Sequence, residues 1–180
     1  MRNSFYDNLA HTRWGIDAII HTPSFVRSRS AFLFTSLLSA SALFLPSTAA
    51  LSKRLLIHCR KLAHHIMEHR YRSVEIVLAF MVNIPWLSPR DHWADDETAS
   101  YLATALTIAL DLSLNKIVTP SPSDSDNLNR EGIARSDCID AGKALLLDGF
   151  DEIDPLSPVG RRLLRRRERA WLSLFVLERG

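Results

Sequence analysis

The densest chemistry in this 180-residue chain is a set of six arginines within nine positions: Arg161, Arg162, Arg165, Arg166, Arg167 and Arg169, in the segment RRLLRRRERAW. Clustered guanidiniums bind phosphate, so the run is a candidate nucleic-acid or nuclear-import patch. The plainer reading is structural. On a helix Leu164, Trp171 and Phe175 fall near one face and Arg162, Arg166 and Arg169 near another. The acidic run Asp148, Asp151, Glu152 and Asp154 just upstream can neutralise the arginines. No aromatic-interleaved or base-reading motif accompanies the charge, which favours intramolecular structure over direct nucleic-acid contact.

Four histidines, His58, His64, His65 and His69, cluster in the segment after Pro46, and the i, i+4 pair His65/His69 would put two imidazoles on one helical face. A zinc site needs three or four ligands, and no neighbouring carboxylate or thiol obviously completes one, so surface histidines are the favoured reading and no metal ligand is assigned. In DHWADDE, the residues Asp91, His92, Asp95, Asp96 and Glu97 have the types of an acid/base set. A turn followed by a negatively charged helix start explains them without catalysis. Serines are abundant, but there is no GxSxG elbow, SxxK motif or glycine-rich phosphate loop. No catalytic or cofactor-binding residue is assigned, and the chain is expected not to be an enzyme. Cys59 and Cys138 fit no CxxC or Cys/His pattern, which excludes a disulfide framework and makes a reducing, intracellular compartment the simplest reading.

Around these groups the sequence reads as helices punctuated by proline. The composition, 47% apolar and 23% charged, is that of a globular domain. Net charge is +2, distributed as +7 over residues 1–90, −10 over 91–160 and +5 over 161–180. Residues 1–27 lack sustained periodicity and are expected to be a partly ordered lead-in, with Trp14, Ile16, Ile19 and Ile20 available for packing. Ala31–Leu45 is apolar but too short to span a hydrocarbon core of roughly 30 Å. Thr35, Ser36, Ser39 and Ser41 dilute it further, so it reads as a buried helix and no membrane association is expected.

After Pro46, with Ser47 or Thr48 as the cap, Leu51, Leu55, Cys59, Leu62 and Ile66 form an apolar stripe. A third helix opens at Ser73, carries Glu75 in its first turn, is apolar nearly all round, and ends at Pro85. Asp95, Asp96 and Glu97 mark the next start, ahead of Tyr101, Leu102, Ala105, Leu106, Ala109 and Leu112. The polar stretch TPSPSDSDNLNR predicts a loop or insertion over about 118–132. A helix over about 137–147 and a final one through Leu164, Trp171, Leu174, Phe175 and Val176 complete the chain. No strand pair is evident. The expected fold is all-α, a bundle-like helical array.

The stretch RSVEIVLAFMVNIPWLSPRDHWADDETASYLATALTIALDLSLNK (72–116), followed after the loop by GRRLLRRRERAWLSLFVLERG (160–180), resembles the regulatory middle homology domain of fungal binuclear zinc-cluster transcription factors. FLFTSLLSASALFLPSTAALSKRL resembles the first helices of the same domain. The matching features are the apolar run Val74–Ile84 and the tryptophans Trp86 and Trp93. The small-residue helix follows with Ala105, Ala109, Leu112 and Leu114, then Arg165–Arg167, Arg169 and Trp171, leading into Ser173–Arg179.

The resemblance covers roughly 28–180 apart from the loop. It implies an all-α regulatory domain in a nuclear transcription factor whose DNA-reading part is a separate six-cysteine zinc cluster. With two cysteines this chain cannot form that cluster, so no zinc ligand or base contact carries over to any residue here, and DNA binding would require a cluster supplied elsewhere. The same resemblance implies a domain truncated at the C-terminus. Its expected partners are the remainder of the factor, or coregulators. Ala103, Ala105 and Ala109 would permit close helix approach, and an apolar surface left uncovered would promote self-association. The alternative is a stand-alone helical module that binds a protein partner and has no transcriptional role.

Overall fold

The helix limits follow from short polar side chains. The computed structural model describes residues 15–87, 97–120 and 133–179. In it Thr22 accepts a hydrogen bond from the Phe25 amide and opens α1 (Pro23–Arg29), and Ser30 accepts from Leu33 and opens α2 (Ala31–Ala42). Ser73 caps α4 (Val74–Asn83) and Asp140 caps α6 (Ala141–Leu147) in the same way. Each cap satisfies an amide that the first helical turn leaves without a partner. The long helices are α3 (Ala49–His69), α5 (Glu97–Asp111) and α7 (Pro158–Arg179). The fold is all-α: seven helices in a bundle-like array among the described residues, with one two-stranded patch.

Helix α4 is the axis of the array. All of its residues are buried, and it packs against α2, α5 and α7 while α2 also lies along α3. Phe80 stands edge-on to both Phe32 and Tyr101, with ring centroids 5.0 and 5.1 Å away, which joins α2, α4 and α5 through one aromatic column. Two of the three buried serines of α2, Ser36 and Ser41, are compatible with burial because they bond back to their own helix, whereas the Ser39 hydroxyl has no hydrogen-bond partner among the described residues. Ser36 donates to the Phe32 carbonyl and Ser41 to that of Leu37, both at 2.7 Å. Ser36 also accepts from the Asn83 amide at 2.6 Å, so the polar pair on facing helices satisfies itself inside the core. Among the described residues no helix is long and apolar enough to cross a membrane.

Several sequence expectations change. Where it is described, the stretch before residue 28 packs on the core: Ile16, His21 and Val26 are buried, while Ile19 is exposed. Gly15, at φ +75°, lies so close to α4 and α7 that an added Cβ would sit 3.0 Å from the Leu78 side chain and 3.1 Å from the Ala170 backbone nitrogen. In α3, Leu51 is exposed and Leu55 and Leu62 are half-buried, whereas Ser52, Cys59, Ala63 and Ile66 face inward. Small residues hold that seam because α2 approaches closely. A strand pair does exist. β1 (Ile117–Thr119) runs parallel to β2 (Cys138–Asp140), with Ile117 opposite Cys138, so α6 starts at Ala141 rather than near 137. Three residues per strand are too few to leave an alternation signal. Trp14, the turn residues Asp91–Asp96 with Trp93, and most of the loop lie outside the described residues.

Candidate functional site

Of the six clustered arginines, Arg166 and Arg167 are not on the surface. Each is 1% exposed. The expected solvent face of α7 therefore needs correcting at Arg166, and these two residues leave the candidate basic patch. Arg161, Arg162, Arg165 and Arg169 remain exposed. Successive residues on a helix are about 100° apart, so burying positions 163, 166, 167, 170 and 174 places this guanidinium pair in the seam with α4, α5 and α6.

Both guanidiniums are charge-compensated. Arg166 donates through Nη1 to Glu75 of α4 and through Nη2 to Asp148, at 2.7 Å, in the turn after α6. Arg167 donates through Nη1 to the other oxygen of Asp148 and to the Ala144 carbonyl at 3.1 Å. Its Nη2 donates to the Leu112 carbonyl at 2.5 Å, just beyond α5. Two cations thus face two carboxylates in a space that excludes water, where removing one member strands another. Burial pushes the Asp148 carboxyl above its ordinary value, with the two arginines pulling the other way, and burial likewise lowers Arg167. The turn is closed from outside by α1. Arg29 donates to the Asp148 carbonyl and lies over the Phe150 ring at 4.4 Å, and Phe25 stacks on that ring at 6.2 Å.

His21 completes the surroundings. It is 3% exposed, and burial together with the Arg166 charge lowers its pKa to about 4, so it is neutral at physiological pH, with Nδ1 accepting from the Asp17 amide at 2.9 Å. At the rim Arg162 pairs with Asp17 at 3.0 Å. Although partial burial would raise the Asp17 carboxyl, the Ile19 amide and Arg162 hold it below its usual value. Gly160 lets α7 begin here: an added Cβ would lie 2.2 Å from the Asp154 carbonyl oxygen. Of the upstream acidic run, Asp148 alone is buried against the arginines, while Asp151, Glu152 and Asp154 are exposed. Sequence reading missed Glu75 and His21 as parts of this junction. The available signal was a carboxylate inside a helix apolar all round, since a buried charge demands a partner.

The remaining candidates lie elsewhere. Cys59 is buried beside Ser36, and burial pushes its thiol up to about 11, which leaves it a poor nucleophile. It borders a cleft of about 190 Å³ lined by Leu56, Ile57, Asn83 and Trp86. Glu97 pairs with Arg60 at 2.9 Å and lies 3.8 Å from His64, so the acid/base types of DHWADDE meet α3 at this end; Asp91, His92, Asp95 and Asp96 lie outside the described residues. His65 and His69 share a face of α3, as their spacing requires, and Glu68 supplies the neighbouring carboxylate that was not evident from the sequence.

The geometry of the junction is that of a rigid coupling between α4, α6 and α7: Glu75, Asp148, Arg166 and Arg167 are each directed at another residue of the chain. A scan against protein-family models finds no match to this chain, and searches of curated proteins and of solved structures find no significant similarity.

Proposed function

We propose that this chain is a helical regulatory unit of a transcription factor of the fungal zinc-cluster type, acting in the nucleus through contacts with the rest of the factor or with coregulators and catalysing no reaction. The supporting observation is the buried Glu75–Arg166–Asp148–Arg167 junction. The two segments that carry the resemblance, 72–116 and 160–180, are far apart in sequence, yet Glu75 and the Leu112 carbonyl from the first meet Arg166 and Arg167 from the second. Two of the six arginines that look most like a DNA-binding patch, Arg166 and Arg167, are thereby committed to holding helices together. That suits a domain which modulates a DNA-reading part rather than reading DNA itself.

The exposed arginines Arg161, Arg162, Arg165 and Arg169 serve at most nuclear import or weak phosphate contact on this reading. The test is the full-length transcript spanning this reading frame. A six-cysteine, CxxC-rich segment in frame is the expected result, and a complete transcript without one overturns the assignment. In a second measurement the full chain is fused to an unrelated DNA-binding domain. The fusion is expected to alter reporter transcription several-fold against that domain alone.

The reading as a stand-alone interaction module is favoured by a different observation. Leu172, Phe175 and Val176 form an exposed apolar patch near the end of α7, at 61%, 46% and 68% exposure. Concentration-dependent self-association of the chain, lost in Leu172→Ser/Val176→Ser, would place that patch in an interface.

A further inference from the structure

The last turn of α3 gathers three metal-binding groups that the junction does not use. His65, Glu68 and His69 are all exposed, and one donor atom from each lies within 4.8 Å of the other two. The imidazole rings are 4.1 Å apart between centroids, one above the other along the helix. Around an ion about 2.0–2.1 Å from each nitrogen, ligand atoms stand roughly 3–3.5 Å apart, so modest rotamer adjustment of three exposed side chains closes the set.

Three features prepare this turn for a cation. His69 Nδ1 lies 3.0 Å from the His65 carbonyl oxygen and 3.8 Å from Glu68 Oε2; the carbonyl can only accept, so Nδ1 is the donor of that bond and Nε2 the nitrogen left to bind a metal. A backbone carbonyl fixing the tautomer in this way is the usual support of a metal-bound histidine. The chain also reverses here through Arg70 in the left-handed region (φ 54°), with the Tyr71 amide donating to the Ile66 carbonyl. That turn stacks the Tyr71 ring on His69 at 5.7 Å, 8° from parallel, and brings it 5.6 Å from His65, which restricts both imidazoles. Finally, the carbonyl end of a 21-residue helix carries partial negative charge, and Glu68 adds a full one.

We infer that His65, Glu68 and His69 bind one divalent transition-metal ion of the zinc class, with water filling the remaining positions. Two imidazoles and a carboxylate suit Zn²⁺, Ni²⁺ or Cu²⁺ over the oxygen-seeking Mg²⁺ and Ca²⁺. The open setting makes this a binding site rather than a hydrolytic centre: all three side chains stand in solvent. Bound metal would tie the final turn of α3 together and stabilise the native chain by linkage. The inference is independent of the regulatory reading.

The experiment is calorimetric titration of the untagged full chain with Zn²⁺, in parallel with His65→Ala, His69→Ala, Glu68→Gln and His64→Ala. The substituted side chains are exposed, and circular dichroism confirms the helix content of each variant. The parent is expected to bind one equivalent and to melt at higher temperature with Zn²⁺ than without. Each histidine variant should lose about tenfold or more in affinity, by analogy with the effect of disturbing a metal ligand's support. Glu68→Gln should lose less, and His64→Ala, whose side chain is turned toward Glu97, should match the parent. Binding by His65→Ala/His69→Ala as tight as the parent's, a loss in His64→Ala equal to that in His65→Ala, or no binding by the parent overturns the assignment.

Discussion

Helices α4 and α7 are both central, and they are buried by opposite means. α4 inserts a sequence that is apolar on every side, with Val77, Leu78, Ala79, Phe80 and Met81 fully enclosed. α7 inserts two arginines and supplies most of its other residues to solvent. The first kind of burial is favourable for each side chain separately, because every apolar group removed from water contributes. The second is favourable only as a set, because a desolvated guanidinium is costly until Glu75, Asp148 and the Leu112 and Ala144 carbonyls are all in place. An apolar core tolerates losses one at a time, and an ionic junction does not.

Asp148 is where that contrast breaks most sharply. Asp148→Ala leaves Arg166 and Arg167 with one carboxylate between them and should cost about 3–5 kcal/mol, read from the urea midpoint. Leu78→Ala in α4 should cost about 3 kcal/mol, from lost burial plus the cavity left behind. The comparison is sharpened by Glu75→Leu/Arg166→Met. If the junction behaves as a set, the double change should cost less than either single one, since it removes the charges together. A double-mutant cycle that adds up without coupling would show the junction to be no set at all.

A smaller effect is expected with pH. His21 protonates near pH 4 when folded and near 6.5 when unfolded, so the unfolded chain binds more protons between those values. Stability should then be fully present above pH 6.5 and fall as the pH drops toward 4, by roughly 3 kcal/mol at most. His21→Leu should flatten the upper part of that slope, between pH 6.5 and 5, in denaturation measured as a function of pH. The smallest change is expected at the rim. Arg162→Ala breaks the partly exposed pair with Asp17 and should cost about 0.2–1 kcal/mol. Gln at Arg161, Arg165 and Arg169 should leave stability within about 0.5 kcal/mol each, while lowering any retention on a phosphate matrix.

Much of the fold was legible because its signals are local. Ser30 and Ser73 ahead of apolar runs, Pro46 and Pro85 after them, and the all-round apolar sequence of α4 depend on neighbours within a few positions. The seam of α3 was read in part: Cys59 and Ile66 do face inward, but the helix's partner, not its own periodicity, decides that Ser52 and Ala63 join them while Leu51 does not. The candidate site was half legible. Arg166 and Arg167 stood out as arginines, and Asp148 as one of the acids able to neutralise them. Glu75 was visible only as a first-turn carboxylate, since its partner lies 91 positions away. Glu68 escaped notice at His65 and His69 because it reads equally well as one more surface charge on a helix.

By itself, then, the sequence determined an all-α chain, the opening of α4 at Ser73, the breaks at Pro46 and Pro85 and the burial of its most apolar helix, because backbone hydrogen bonding and hydrophobic periodicity act over a few residues. The cap expected of Ser47 or Thr48 is not made, since Thr48 donates back to the Ala42 and Leu45 carbonyls. Only the tertiary structure decided which arginines are inside. The choice between a solvated guanidinium and a buried one depends on whether carboxylates and carbonyls from distant segments converge on it, and no spacing along the chain encodes that meeting.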